Sequence, residues 1–347
     1  MSFTKSIFCA LLAATAGHAF WAQPGRAEGN TSRAAPSQNG FDILVLGARG
    51  GVQDGNLSAY MIMPYGDHHA IMCDAGTLVN GLNVSDHLGK LNDFSVENKT
   101  PLTPTGYMLH HVIQGYLISH AHLDHIAGLA ISAPDDTPKP LYALQSTVDD
   151  LSHSVFNWRI WPNFADQGSA PFLKTYTYHP LIPAQPLPLQ NTAMEVTAWP
   201  LSHGPVISTA FLIKSGSNAL LYLGDTGPDS VENTHRLKTL WHAVAPDIQN
   251  HQLKAIIIES SYDNSRPDKT LFGHMTPRWV LKSLHDLAQE TGKATSLQGL
   301  MVLISHIKYT LTTGKKIQDI IKRELDAEND LGVKFVIAEQ GLRLHVQ

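Results

Sequence analysis

Cysteine is almost absent from this chain: of 347 residues only Cys9 and Cys73 carry a thiol. That excludes a disulfide-stapled scaffold and the cysteine-rich zinc modules. Gathered positive charge is missing too, with 25 lysines and arginines against 30 aspartates and glutamates and a formal net charge of -5. A long nucleic acid is thereby excluded as the main partner, because phosphate backbones are bound by clustered cations. After Phe20 no apolar run is long enough to cross a bilayer. The glycines of Gly47-Ala48-Arg49-Gly50-Gly51 lack the spacing and the following helix of a dinucleotide fingerprint. Charged residues make up only 16% and hydrophobic ones 43%, which describes a globular protein with a substantial core. The length suits one large α/β domain or two ordinary ones. Histidine is plentiful, at 19. His68, His69, His110, His111, His153, His179, His235, His242, His251, His285 and His345 show no ligand spacing and read as surface or hydrogen-bonded residues.

Met1 to Lys5 carries one positive charge, and Ile7 to Phe20 is apolar but short for a membrane span. Gly17-His18-Ala19 offers the small residues that export peptidase reads. Residues 1–19 are therefore expected to be a signal peptide cleaved after Ala19, with Ala22 as the second choice and a buried N-terminal helix as the alternative. The expected destination is a bacterial periplasm. Cleavage removes Cys9 and leaves Cys73 alone, without a disulfide partner. Residues 20–40, rich in Gly, Pro, Ser, Asn and Ala, read as a disordered leader, and 41–347 as a single folded domain.

In that folded part, apolar strands keep ending in polar, chemistry-bearing residues. Phe41 to Leu46, Leu57 to Met63 and Ala70 to Asp74 suggest an antiparallel meander, and Asp74 is either a turn aspartate or an acceptor that orients an imidazole. The buried strand Tyr116 to Ile118 runs into Ser119-His120-Ala121-His122-Leu123-Asp124-His125, and a helix begins near Ile126. In extended backbone, side chains two apart point the same way, so His120 and His122 can share one cation while Asp124 and His125 reach a second. Imidazoles with a carboxylate suit zinc or a similar divalent metal.

Further on, Ser146 to Trp161 has helical spacing, and a Pro-rich aromatic insert around 145–190, with Phe164, Phe172, Tyr176 and Tyr178, is either a lid or packing. Thr209 to Ile213 and Ala219 to Leu223 read as a hairpin, and Thr276-Pro277 opens a helix to about Gln289. His203, Asp225 and His306 each follow an apolar strand beside small residues. Added to the central motif they supply two sites: His120, His122 and His203 for one metal, Asp124, His125 and His306 for the other, with Asp225 bridging.

His-x-His-x-Asp-His followed by strand-end His, Asp and His resembles the metallo-β-lactamase fold superfamily. The longer run from His120 to Ser132-Ala133-Pro134, with Gly273-His274-Met275-Thr276-Pro277 and Ser305-His306-Ile307-Lys308, is similar to class II cyclic-nucleotide phosphodiesterases. The resemblance implies a four-layer αβ/βα sandwich with mixed sheets. It also implies two divalent ions, zinc first among them, and hydrolysis of cAMP or cGMP to the 5'-monophosphate by a metal-bridging hydroxide. His274 is expected at the phosphate or leaving group. Lys308 either clamps a phosphate oxygen or faces solvent, and Glu259 either supports a ligand or makes a structural hydrogen bond. Asn56 and Ser58 are weaker candidates, and a homodimer is an open partner. The same scaffold also serves hydrolases of lactones, β-lactams and other esters, and a non-catalytic metal-binding protein is the rival of a different class.

Overall fold

The computed structural model describes residues 39–94 and 101–347. The export segment expected over 1–19, and all but the last two residues of the leader expected over 20–40, lie outside the described residues.

Two seven-stranded sheets dominate. In spatial order the first runs Arg343–Val346, Phe41–Gly47, Ala59–Pro64, Ala70–Cys73, Ile113–Leu117, Lys139–Leu144 and Tyr176–Leu181. The second runs Lys334–Ile337, Met301–Ser305, Leu253–Glu259, Asn218–Leu223, Val206–Ser215, Glu195–His203 and Leu187–Pro188. Each sheet is antiparallel on one side and parallel on the other. The expected meander and hairpin are both present.

The strands are apolar on both faces because both faces are covered. Along Phe41–Gly47, Phe41, Ile43 and Val45 point into the space between the sheets, while Leu44 and Leu46 point outward. Leu253–Glu259 divides the same way, with Ala255 and Ile257 inward and Ile256 and Ile258 outward. Outside the first sheet lie helices Val79–His87, Leu123–Ser132 and Gln145–Asp150, which contribute Leu82, Ile126, Leu129 and Val148. Outside the second lie Arg236–Gln249, Pro277–Glu290 and Ile317–Ala327. Their apolar stripes, such as Leu237, Leu240, Trp241, Val244 and Ile248, follow helical spacing onto the sheet. Helix, sheet, sheet, helix is the four-layer order expected.

One local reading needs correction, one open alternative is decided, and one helix was not foreseen. The helix expected over Ser146–Trp161 stops early: Gln145–Asp150 passes into a π-helical turn, Leu151–Val155. Asn157 Oδ1 then accepts the N–H groups of Arg159 and Ile160, which turns the chain, and Ile160 ends up exposed. The insert is also less irregular than its prolines suggest. Tyr176–Leu181 pairs in parallel with Lys139–Leu144, so Tyr176 and Tyr178 are buried packing and not a lid. Finally, helix Arg236–Gln249 has no counterpart among the expectations, since Pro246 in its last turns interrupts the pattern.

A short parallel pair, Arg49–Gly50 with Ile307–Lys308, joins the two ends of the folded chain beside the strand termini. Among the described residues no helix is long and apolar enough to cross a membrane.

Candidate metal centre

Strands that run parallel deliver their carboxyl ends to one edge, and the loops after them carry the polar residues. Ala70–Cys73 ends in Asp74, which sits in left-handed backbone at φ 55° and is fully buried. Its carboxylate accepts four hydrogen bonds: from Ser119 N–H and Ser119 Oγ–H at 2.7 Å each, Tyr222 O–H at 2.6 Å and His125 Nδ1–H at 2.7 Å. Asp74 is thus the acceptor that orients an imidazole. Pinning the proton on Nδ1 leaves the Nε2 lone pair of His125 free to coordinate.

The atoms converge on Asp225. Its Oδ2 lies 3.2 Å from His306 Nε2, 3.3 Å from His125 Nε2, 3.7 Å from His203 Nε2 and 3.9 Å from His120 Nε2. On one flank His203 Nε2 is 3.2 Å from His122 Nδ1, and on the other His306 Nε2 is 3.2 Å from Asp124 Oδ2. His120, His122 and His203 form one group able to hold a metal, Asp124, His125 and His306 another, and His120, His125 and Asp225 lie between. All seven expected residues are therefore brought together. The rings are braced from behind: His203 Nδ1 at 2.8 Å from the Gly273 carbonyl, His306 Nδ1 at 2.9 Å from Ser261 Oγ, and His120 Nδ1 at 3.0 Å from Ser119 Oγ.

Electrostatics match the demands of a divalent cation, which binds neutral imidazole and ionised carboxylate. Burial, reinforced by neighbouring histidines, pushes His120 well below the usual imidazole range, and His122 is lowered by burial and His203. Burial also lowers His306. Burial opposes the charge on Asp225 and Asp124, yet His306 and His125 hold both carboxyls well below the ordinary range. His125 departs from the pattern, since Asp225 and Asp74 outweigh burial and raise it well above the usual value. That surplus positive character is what a bound cation would replace. Buried His120 Nε2 and His125 Nε2 have no hydrogen-bond partner, and a buried polar nitrogen left alone is costly. A metal ion satisfies both, so the donor set fits one.

His274 belongs to the same cluster. Its Nδ1 is 2.9 Å from Glu259 Oε1 and 3.8 Å from Asp225 Oδ2, and its ring stacks on His306 at 5.2 Å. Burial works against its charge, but Glu259 and Asp225 raise it above the ordinary value. Glu259 also accepts from Thr226 N–H and Ser261 Oγ–H, so it braces His274 and, through Ser261, His306. Lys308 Nζ stands 3.8 Å from Asp124 Oδ2 with its side chain one-quarter exposed, at 25%. Asn56 serves the backbone, with Oδ1 accepting from Ala48 N–H, and Ser58 is buried with its hydroxyl unpartnered.

The glycine loop set aside as a nucleotide fingerprint has a different use. Gly51 N–H donates to Asp124 Oδ2 at 2.9 Å, and a Cβ on Gly50 would overlap the His306 ring. Gly50, Ser119, Tyr222 and Ser261 all act on the site without any spacing that announces them.

Comparison with known proteins agrees with this geometry. The family described as class-II cAMP phosphodiesterases matches residues 42–341. The 3',5'-cyclic-nucleotide phosphodiesterase of Aliivibrio fischeri is 48% identical over 302 residues, 87% of this chain and 91% of the relative. In fold, unliganded yeast PDE1 superposes with a TM-score of 0.78 at 24% identity, covering 89% of this chain and all (100%) of that one. The metallo-β-lactamase fold protein YhfI from Bacillus subtilis gives 0.57 at 18% identity, covering 89% and 100%. With its four layers, its convergent histidines and aspartates, and a match across nearly the whole described fold, the chain belongs to the class-II cAMP phosphodiesterase family.

Proposed function

We propose that the chain hydrolyses 3',5'-cyclic nucleotides, cAMP or cGMP, to 5'-monophosphates at a centre for two divalent metals. His120, His122 and His203 would hold one metal and Asp124, His125 and His306 the other, with Asp225 available to both. The observation that carries this reading is the convergence on Asp225 Oδ2 of buried imidazoles, two of whose Nε2 atoms have no partner. The name of the Aliivibrio fischeri relative supports the substrate class. Imidazole and carboxylate donors suit zinc or a similar divalent first-row metal, and zinc is the first choice.

Bound there, two divalent ions would neutralise the phosphodiester, acidify a water for in-line attack on phosphorus and steady the departing oxygen. The protein's own part is to position groups and move a proton. Asp74 fixes the His125 tautomer, and Gly51 N–H with His306 fixes Asp124. Glu259 grips His274 at Nδ1 and favours its protonated form, so Nε2–H is the group that gives O3' its proton as it leaves. Lys308, beside Asp124, takes a phosphate oxygen. Export to a bacterial periplasm stays part of this reading, supported by the sequence pattern of Met1 to Ala19.

Purified enzyme, assayed on cAMP, cGMP, a lactone and a β-lactam with and without chelator, should release 5'-monophosphates alone and fall silent with chelator. It should carry about two equivalents of metal per chain. Asp225→Ala should abolish turnover while far-UV circular dichroism is unchanged; full turnover in that variant removes the bridging role.

A further inference from the structure

Phe272 is out of place by ordinary folding rules. It is a large apolar side chain, 67% exposed, on left-handed backbone at φ 53°. Bulky residues avoid that conformation, and such outliers gather at ligand clamps. The following Gly273 offers the carbonyl that braces His203, and the next residue is His274. The strained turn therefore ties an exposed aromatic ring directly to the reaction centre.

Phe272 does not stand alone. The Arg266 guanidinium lies 5.6 Å from its ring centroid and 4.5 Å from that of Tyr262. The Tyr262 ring in turn meets His274 edge-on at 5.9 Å. Arg266 Nε is committed to the Thr270 carbonyl, while its two Nη groups have no hydrogen-bond partner among the described residues. A chain of contacts thus runs outward from His274 through Tyr262 and Arg266 to the exposed Phe272 ring, with the free Arg266 donors beside it, and serves as a shelf.

We infer that this shelf receives the purine base of the substrate, which stacks on Phe272 while Arg266 donates to acceptors on the base edge. The inference rests on the cyclic-nucleotide reading above, and it assigns the recognition of the base to residues outside the metal cluster. A cyclic nucleotide carries its base one ribose away from the phosphorus, so a base site has to adjoin the centre without entering it. Aromatic faces and arginine planes are the usual partners of an unstacked base. Tyr262 is half-buried, with its ring edge-on to His274 and the Arg266 guanidinium over its face, which leaves Phe272 as the more exposed ring.

The test separates base from phosphate. Inhibition of cAMP hydrolysis by 5'-AMP and by ribose 5-phosphate is measured in wild type, Phe272→Ala and Phe272→Tyr. In wild type the base should make 5'-AMP the tighter inhibitor, and Phe272→Ala should erase roughly tenfold of that advantage, within the range for one stacked base. KM for cAMP should rise by about the same factor, while kcat and inhibition by ribose 5-phosphate stay as in wild type. Phe272→Tyr, which keeps the ring, should retain the discrimination. No advantage of 5'-AMP in wild type, or an equal loss for both inhibitors in Phe272→Ala, overturns the inference; the equal loss would show that the turn merely supports His274. Failure of the two-metal reading would register elsewhere, as wild-type turnover that ignores chelator.

Discussion

Replacing Asp74 by asparagine exchanges one oxygen for a nitrogen where four donors already converge. Oδ1 receives Ser119 N–H, and Oδ2 receives Ser119 Oγ–H, Tyr222 O–H and His125 Nδ1–H. Whichever way the amide turns, its NH₂ faces a donor. The less costly orientation keeps oxygen toward the three side chains and strands the Ser119 N–H against a buried amide. Two unsatisfied donors at about 1–3 kcal/mol each, plus weaker bonds from the lost charge, bring the expected destabilisation to about 3–5 kcal/mol. The Nδ1–H tautomer of His125 also loses its ionic anchor. Loss of such an outer partner ordinarily costs about 10–100-fold in metal affinity. Competition with a chromogenic chelator, read beside denaturant unfolding, would report both quantities. Tyr222→Phe is the companion variant: it removes one donor and leaves the tautomer, so stability should fall by about 1–2 kcal/mol with metal affinity nearly intact. Wild-type metal affinity in a folded Asp74→Asn protein would refute the orienting role.

Other consequences follow from single contacts. Gly50→Ala drives a methyl group into the His306 ring, and displacing a site residue by about an ångström should lower kcat/KM about a hundredfold while secondary structure by circular dichroism holds. His274→Ala should cut kcat by about 10²–10⁴-fold with metal content unchanged by elemental analysis, because it removes the proposed proton donor and no ligand of the expected set. On the surface, Arg343 donates to both Asp93 and Asp42, and that hydrogen bonding holds the Asp93 carboxyl below its ordinary value. A depressed folded value contributes stability above the unfolded pKa and loses it as pH falls. Arg343→Gln should therefore lower Tm at pH 7 and flatten its decline below about pH 4; an unchanged slope would dissociate Asp93 from acid stability.

What was legible in the sequence is what is encoded locally. An apolar run followed at once by His, Asp or Glu marks a strand end, and the six-residue run from His120 to His125 sets four groups on one short connection. The layers came from the family resemblance that this motif carries, and the strands agree with it, since strands apolar on both faces require cover on both sides. The illegible part is supplied at long range. Tyr222 reaches Asp74 across 148 positions, and nothing in its neighbourhood distinguishes it from any other core tyrosine. Gly50 matters only because His306 folds against it. The helix expected to reach Trp161 fails for a related reason, because apolar spacing continues past Asn157 while the asparagine side chain captures the backbone and ends the turn. Periodicity reports which face is buried, and it is silent on which distant group will compete for a backbone hydrogen bond.

The two-residue ladder between Arg49–Gly50 and Ile307–Lys308 has a consequence for what completes the proposed centre. Its partners sit near opposite ends of the described residues, so it closes one of the longest loops among them, and an entropic penalty of that kind is offset by the contacts of the intervening strands. Asp124 has His306 and Lys308 as neighbours only through this distant segment, so the central histidine run by itself lacks part of the proposed site. The proposed centre is therefore complete only where both distant segments of the fold are present.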